Sequence, residues 1–164
     1  MLSNRMIPIK MLVLLGMALA FTLPLTTSCS EDDSNPIINT SMFDVSGVLN
    51  AQSEVPPVIS VATGSLSGTY DGDINLLTYS ITWSNLTGAA SAMHFHGPAA
   101  PGVSASPTLT IQGFPAAAAG SYSSQATLTE DQERQLLDGN WYLNIHTPTN
   151  PNGEIRGQVQ TNLK

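Results

Sequence analysis

The feature that most constrains the fold is an alternation of apolar and polar residues with a period of two, which begins near Met42 and continues towards the C-terminus. It is clearest over residues 77–83, where the sequence reads LTYSITW. Successive side chains of a β-strand point to opposite faces, so this pattern predicts a strand with one buried face. Further strands are predicted between Gly, Pro and Asn residues, over 92–96, 107–113, 120–128, 140–146 and 153–163.

Two local signals complete the prediction of the fold. Asp71-Gly72 stands between two alternating runs, which is typical of a β-hairpin turn. Residues 129–139 instead predict a short helix, in which Thr129 and Gln132 form a capping box and Gly139 ends the helix. Several short strands with one connecting helix favour an all-β fold, a two-sheet antiparallel Greek-key sandwich of immunoglobulin-like type.

Composition excludes several functions. The 164-residue chain has five basic and twelve acidic side chains, and its formal net charge is −7. So few cations make nucleic acid a poor partner. A single cysteine excludes a disulfide framework. The sequence contains neither a Gly-x-Ser-x-Gly nucleophile motif nor a phosphate-binding glycine loop, and we predict that the protein is not an enzyme.

Residues 1–28 predict an export signal. Arg5 and Lys10 precede an apolar run at 11–23 that is shorter than a membrane-spanning helix, and small residues lead from it to the only cysteine, Cys29. This arrangement resembles a bacterial lipoprotein signal. The resemblance implies that Cys29 is lipidated with acyl chains such as palmitate, and that it becomes the N-terminus of a membrane-anchored protein.

Residues 29–42 read as the lipidated cysteine followed by a polar, acidic tether. The acidic residues directly after Cys29 resemble export signals that carry some lipoproteins to the outer cell surface. We therefore expect a protein anchored in the bacterial cell envelope, with the outer membrane or cell surface favoured. The remaining body, residues 43–164, is predicted to be one domain.

Three segments of that body resemble the CHRD domain, a module named from chordin. They are QSEVPPV at 52–58, AMHFHGPA at 92–99, and WYLNIHT at 141–147 with NPNGEIRGQ at 150–158. The resemblance covers roughly residues 43–162 and implies an extracytoplasmic β-sandwich. It implies no catalytic activity. We therefore expect a binding or structural module whose partner is a surface protein or a glycan.

All three histidines lie in these segments. His94 and His96 are two residues apart on a predicted strand and share one face, about 6.6 Å apart along the chain. His146 lies on a later strand, and if the two strands are neighbours the three imidazoles converge. Three histidines suit copper or zinc. A hydrogen-bonded structural cluster and a metal-free ligand pocket are the alternatives, so a copper- or zinc-binding protein is the second functional hypothesis.

Glu54, Glu154 and Arg156 form the other candidate group. Glu154 and Arg156 are also two residues apart on a predicted strand. Arginine forms bidentate pairs with carboxylates. We therefore predict a structural ion pair between Arg156 and Glu154 or Glu54.

Overall fold

Each segment that the sequence predicts as a strand contains one, and the single strand predicted over 153–163 forms two strands that are interrupted at Val159. The computed structural model describes residues 41–164, and within that part of the chain it contains nine strands and one α-helix. In chain order they are β1 (Met42–Asn50), β2 (Thr63–Asp71), β3 (Leu76–Ser84), β4 (Ala92–His96), β5 (Pro107–Ile111), β6 (Gly120–Thr127), α1 (Glu130–Leu137), β7 (Tyr142–His146), β8 (Ile155–Gln158) and β9 (Gln160–Leu163). A single 3₁₀ turn, Ala51–Ser53, follows β1.

All strand pairs are antiparallel, and the strands follow the order β5-β4-β7-β8-β1-β2-β3-β6. β8 and β9 are separated by Val159 alone. β8 pairs with β7 and, at Asn50 and Arg156, with the end of β1, whereas β9 pairs with β1 over Phe43–Ser46. This last stretch therefore links both halves of the sheet, which curls so that the halves face each other. The predicted all-β, sandwich-like fold is confirmed, with both layers belonging to one continuous sheet.

The core lies between these layers. The four apolar residues of the 77–83 segment are all buried, as the alternation predicts. Tyr79 of β3 meets Phe95 of β4 edge to face, with ring centroids 5.2 Å apart, and Phe95 also packs on Trp141 at 5.7 Å. Burying side chains of this size stabilises the fold by about 1.5–3 kcal/mol each. The pattern thus identified the inward faces of β3, β4 and β7 correctly.

The helix also follows its sequence signals. Thr129 accepts a hydrogen bond from the backbone N–H of Gln132, and the Gln132 side chain accepts one from the backbone N–H of Thr129, which completes the predicted capping box. Gly139 has a φ of 71°, a conformation suited to the residue after a helix. Leu136 is fully buried, so the helix is held against the sheet by this side chain.

The hairpin between β2 and β3 forms as predicted, but its left-handed residue is Asn75, with a φ of 56°. The predicted signal segment, Cys29 and all but the end of the tether lie outside the described residues. From residue 41 onward, no helix has the length and apolar character needed to span a membrane. Residues 41–164 all belong to one compact unit.

Candidate functional site

A row of polar side chains covers the outward face of β4, β7 and β8. In the register of these strands His96 pairs with Tyr142, His94 with Asn144, and Asn144 with Arg156. Their chain neighbours point into the core, because strand side chains alternate between faces. The row therefore lies on the face opposite the core, where a simple alternation predicts residues exposed to solvent.

Loops bury this row. The exposed fraction is 6% for His96, 3% for Asn144 and Tyr142, and 2% for Arg156, whereas His94 is half-buried; Glu54, which follows the 3₁₀ turn, is 6% exposed. Backbone carbonyls from the loop at 97–106 and the loop at 147–153 accept hydrogen bonds from its members. The outward face thus forms a second buried layer, made of polar groups instead of apolar ones.

The three histidines meet at one edge of this layer. One ring nitrogen from each of His94, His96 and His146 lies within 4.8 Å of the others. Nδ1 of His94 is 3.1 Å from Nε2 of His146, and the ring centroids of His94 and His96 are 5.4 Å apart. The structure therefore brings together the three residues that the sequence proposed as ligands, because β4 and β7 are neighbours.

Backbone carbonyls orient two of the imidazoles. Nδ1 of His96 is 2.9 Å from the carbonyl oxygen of Ala105, and Nδ1 of His146 is 3.0 Å from that of Pro151. When each of these Nδ1 atoms carries the ring proton, it donates a hydrogen bond to its carbonyl oxygen, and the lone pair of the ring lies on Nε2. Histidines that bind metals typically have this arrangement, with the second ring nitrogen donating to a carbonyl or carboxylate.

The surroundings favour the neutral form of the histidines. Burial lowers the pKa of all three, and the neighbouring imidazoles lower the pKa of His94 and His146 further. For His96 the positive charge of Arg156 acts in the same direction, against the hydrogen bonds that its ring makes. Neutral imidazole is the form that binds a metal ion.

Tyr142 stacks with two of its neighbours. The His96 ring is parallel to the Tyr142 ring to within 2°, with centroids 4.6 Å apart, and the guanidinium carbon of Arg156 lies 3.4 Å from the Tyr142 centroid. Nη2 of Arg156 also donates to the carbonyl oxygen of Val103, at 2.8 Å. Arg156 is therefore held by a cation–π contact and a loop carbonyl, and it fixes the position of His96 through the tyrosine.

Glu54 lies near Arg156 without forming an ion pair with it. Among the described residues the two ion pairs within 4 Å are Arg134–Asp131 and Lys164–Asp44. Burial raises the pKa of Glu54 to about 7, against the opposing effects of Arg156, the Val55 N–H and the Asn144 amide. Its Oε1 has no hydrogen-bond partner. Glu54 and Arg156 instead line a surface cavity of about 490 Å³.

Glu154 has a different set of partners from the one predicted. Ser60 Oγ and the Thr87 backbone N–H donate to its Oε1 at 2.7 and 2.9 Å, and the hydroxyls of Thr87 and Thr147 donate to Oε2 at 2.7 Å each. Burial by itself raises its pKa, but these hydrogen bonds outweigh burial and bring the pKa below its ordinary value. Glu154 joins three loops and makes no ion pair with Arg156.

Asn144 and Tyr142 are the members of the site that the sequence did not single out. Both lie on the same face of β7 as His146, and the alternation of the sequence predicted that position. It gave no reason, however, to prefer these two residues to other polar residues on outward faces. Asn144 Oδ1 lies 3.0 Å from Nε2 of His96, which places this amide at the centre of the layer. Cys29 lies outside the described residues.

Comparisons with known proteins agree with the resemblance seen in the sequence. The CHRD domain family model matches residues 45–159, which is more than half of the chain and includes every strand that carries the polar layer. No curated protein and no solved structure matches the chain.

Proposed function

Because this chain belongs to the CHRD domain family, we propose that it is a lipid-anchored binding module of the bacterial cell envelope, without catalytic activity, and that its ligand is a copper or zinc ion. Membership of the family supports the structural or binding role. The export segment and Cys29 support the anchor. The single observation that supports the metal is the convergence of His94, His96 and His146.

The geometry of the cluster suits a metal that prefers nitrogen ligands. Zn–N bonds measure about 2.0–2.1 Å, so two ligands of a tetrahedral ion lie about 3.3 Å apart. The His94–His146 pair already lies at 3.1 Å. All three ligand atoms lie within 4.8 Å of one another, and His94 and His146 are both only half-buried. Copper and zinc both accept three imidazoles.

Metal content tests this function directly. We would produce residues 30–164 without a histidine tag. This chain begins after Cys29, so it also lacks a thiol that would itself bind both metals. After exposure to Cu²⁺ or Zn²⁺ and dialysis, plasma mass spectrometry should find about one ion per chain. The His94→Ala/His96→Ala variant should retain none. A wild-type chain that retains no metal would exclude the site.

The anchor is tested separately, in cells. With a radioactive or alkyne-labelled palmitate, the full chain should become labelled and remain with the membrane fraction. The Cys29→Ser variant should do neither. Equal labelling of both chains would exclude Cys29 as the lipidated residue.

A second candidate ligand is a surface protein or a glycan, bound without metal. Ile59 and Val61 favour it, because their exposed fractions are 103% and 82% and they line a surface cavity of about 550 Å³. Contiguous apolar patches that remain exposed on a folded protein mark interaction surfaces. In this case chelation of metal ions and the His94→Ala substitution would leave binding of the surface protein or glycan unchanged, whereas Ile59→Ser/Val61→Ser would weaken that binding.

A further inference from the structure

Both ring nitrogens of His96 face oxygen atoms. Nδ1 is 2.9 Å from the carbonyl oxygen of Ala105, and Nε2 is 3.0 Å from Oδ1 of Asn144. Nδ2 of Asn144 faces away from His96, into the space beside Gly153 that Oε1 of Glu54 also borders. The amide therefore directs its oxygen, and not its nitrogen, at His96.

This arrangement conflicts with a neutral imidazole. A neutral ring has one N–H and one lone pair, so in either tautomer one nitrogen lone pair of His96 points at an oxygen lone pair. A positive charge placed between the two atoms resolves the conflict. A cation shared between the nitrogen and the oxygen resolves it without a charged imidazole.

We propose that Asn144 Oδ1 is the fourth ligand of the metal ion bound by His94, His96 and His146. This inference rests on the proposed function. The separation of 3.0 Å between Asn144 Oδ1 and His96 Nε2 is close to the roughly 3.3 Å expected between two ligands of one tetrahedral ion. Asn144 also lies between the two histidine strands, since it pairs with His94 across β4 and β7.

The ligand set indicates the class of ion. Three imidazole nitrogens and one amide oxygen suit a divalent ion, Zn²⁺ or Cu²⁺, because Cu⁺ prefers thiolate and thioether ligands. All four of these ligands are neutral.

The test compares variants of Asn144 in residues 30–164, the compact unit with its tether. Asn144→Leu removes the oxygen, Asn144→Asp retains one, and Asn152→Asp, at an exposed position, controls for the added charge. Zn²⁺ affinity is measured by competition with a chromophoric chelator, and the ligand set by the visible spectrum of bound Co²⁺. Asn144→Leu should weaken Zn²⁺ binding about 10–100-fold and change the Co²⁺ spectrum. Asn144→Asp should bind at least as tightly as wild type.

Each outcome decides the proposal. If wild type binds Zn²⁺ and Asn144→Leu matches it in affinity and spectrum, Asn144 is not a ligand, and the three-histidine site remains. If wild type binds neither Zn²⁺ nor Cu²⁺, both proposals are excluded. Circular dichroism of the metal-free variants identifies a folding defect. If Asn144→Leu does not fold, Asn144→Asp provides the test. A Zn²⁺ affinity of Asn144→Asp more than tenfold below that of both wild type and Asn152→Asp would exclude Asn144 as a ligand.

Discussion

Glu154→Gln is the substitution whose effect the structure determines best. The wild-type carboxylate is completely buried, and it accepts four hydrogen bonds from Ser60, Thr87 and Thr147. Glutamine has nearly the same shape but replaces one oxygen with an NH₂ group. In either orientation of the amide, that group faces two donors. The variant therefore loses acceptor capacity while its volume stays the same.

The magnitude follows from these four bonds. A hydrogen bond to a charged group contributes about 1.5–3 kcal/mol, and a buried donor left unpaired costs about 1–3 kcal/mol. The amide causes least harm with its NH₂ group at the Oε2 position, because the hydroxyls of Thr87 and Thr147 can turn to accept, whereas a backbone N–H cannot. We expect Glu154→Gln to lower the free energy of unfolding by about 2–4 kcal/mol. The corresponding fall in Tm is about 10 °C.

Acidification provides a second readout. The pKa of Glu154 lies below its ordinary value of 4.5 in the folded protein. The stability that this carboxylate contributes is therefore present above pH 4.5 and is lost as the pH falls through the folded pKa. The difference between wild type and Glu154→Gln should shrink as the pH is lowered below 4.5.

Urea denaturation of metal-free protein, followed by circular dichroism at several pH values, measures both effects. Glu130→Gln is the matched control, because Glu130 is exposed in the first turn of α1, and its loss should cost less than about 1 kcal/mol. A Glu154→Gln variant as stable as Glu130→Gln at pH 7 would refute the reasoning. So would a stability difference that does not change with pH.

Three further substitutions test other parts of the structure by thermal denaturation. Gly153→Ala should destabilise the protein by about 2 kcal/mol or more, because φ at Gly153 is +123° and a Cβ atom there would collide with Oε1 of Glu54; unchanged stability would contradict this loop geometry. Arg156→Lys keeps the charge but loses the planar stack on Tyr142, so we expect a loss of about 1–2 kcal/mol, and a Tm equal to that of wild type would argue against the stack. Thr129→Ala removes the helix cap and should cost about 1 kcal/mol; Thr129→Ser should restore most of it, and failure to do so would argue against the cap.

Local rules predicted the elements of this fold because the interactions that form them span only a few residues. The alternation over 77–83 identified a strand and its buried face, and the Thr129 capping box identified the start of the helix. The same rules placed His94 and His96 on one face of β4. None of these predictions required knowledge of which segments are neighbours in space.

The predicted ion pair between Glu154 and Arg156 does not form. Its prediction used only local spacing, the same information on which the successful predictions of strands and helix depended. Residues two apart on a strand share a face, but their side chains extend several ångströms and bond to whatever lies there. Glu154 meets Ser60 and Thr87, which lie far from it in the sequence, and Arg156 meets Tyr142. Glu154 itself lies just before β8, and spacing along the chain contains no information about these partners.

By itself the sequence determined most of the strands, the helix, the inward faces of β3, β4 and β7, and the candidate ligands, since each depends on local geometry and on the chemistry of the side chains. Only the tertiary structure decided that β4 and β7 are neighbours, which brings His146 to His94 and His96. It also decided that loops bury the outward face, so that Asn144 lies beside His96 and not in water. A polar group on a strand is solvated or desolvated by segments distant in sequence, and that packing determines whether it remains an ordinary surface residue or becomes part of a site.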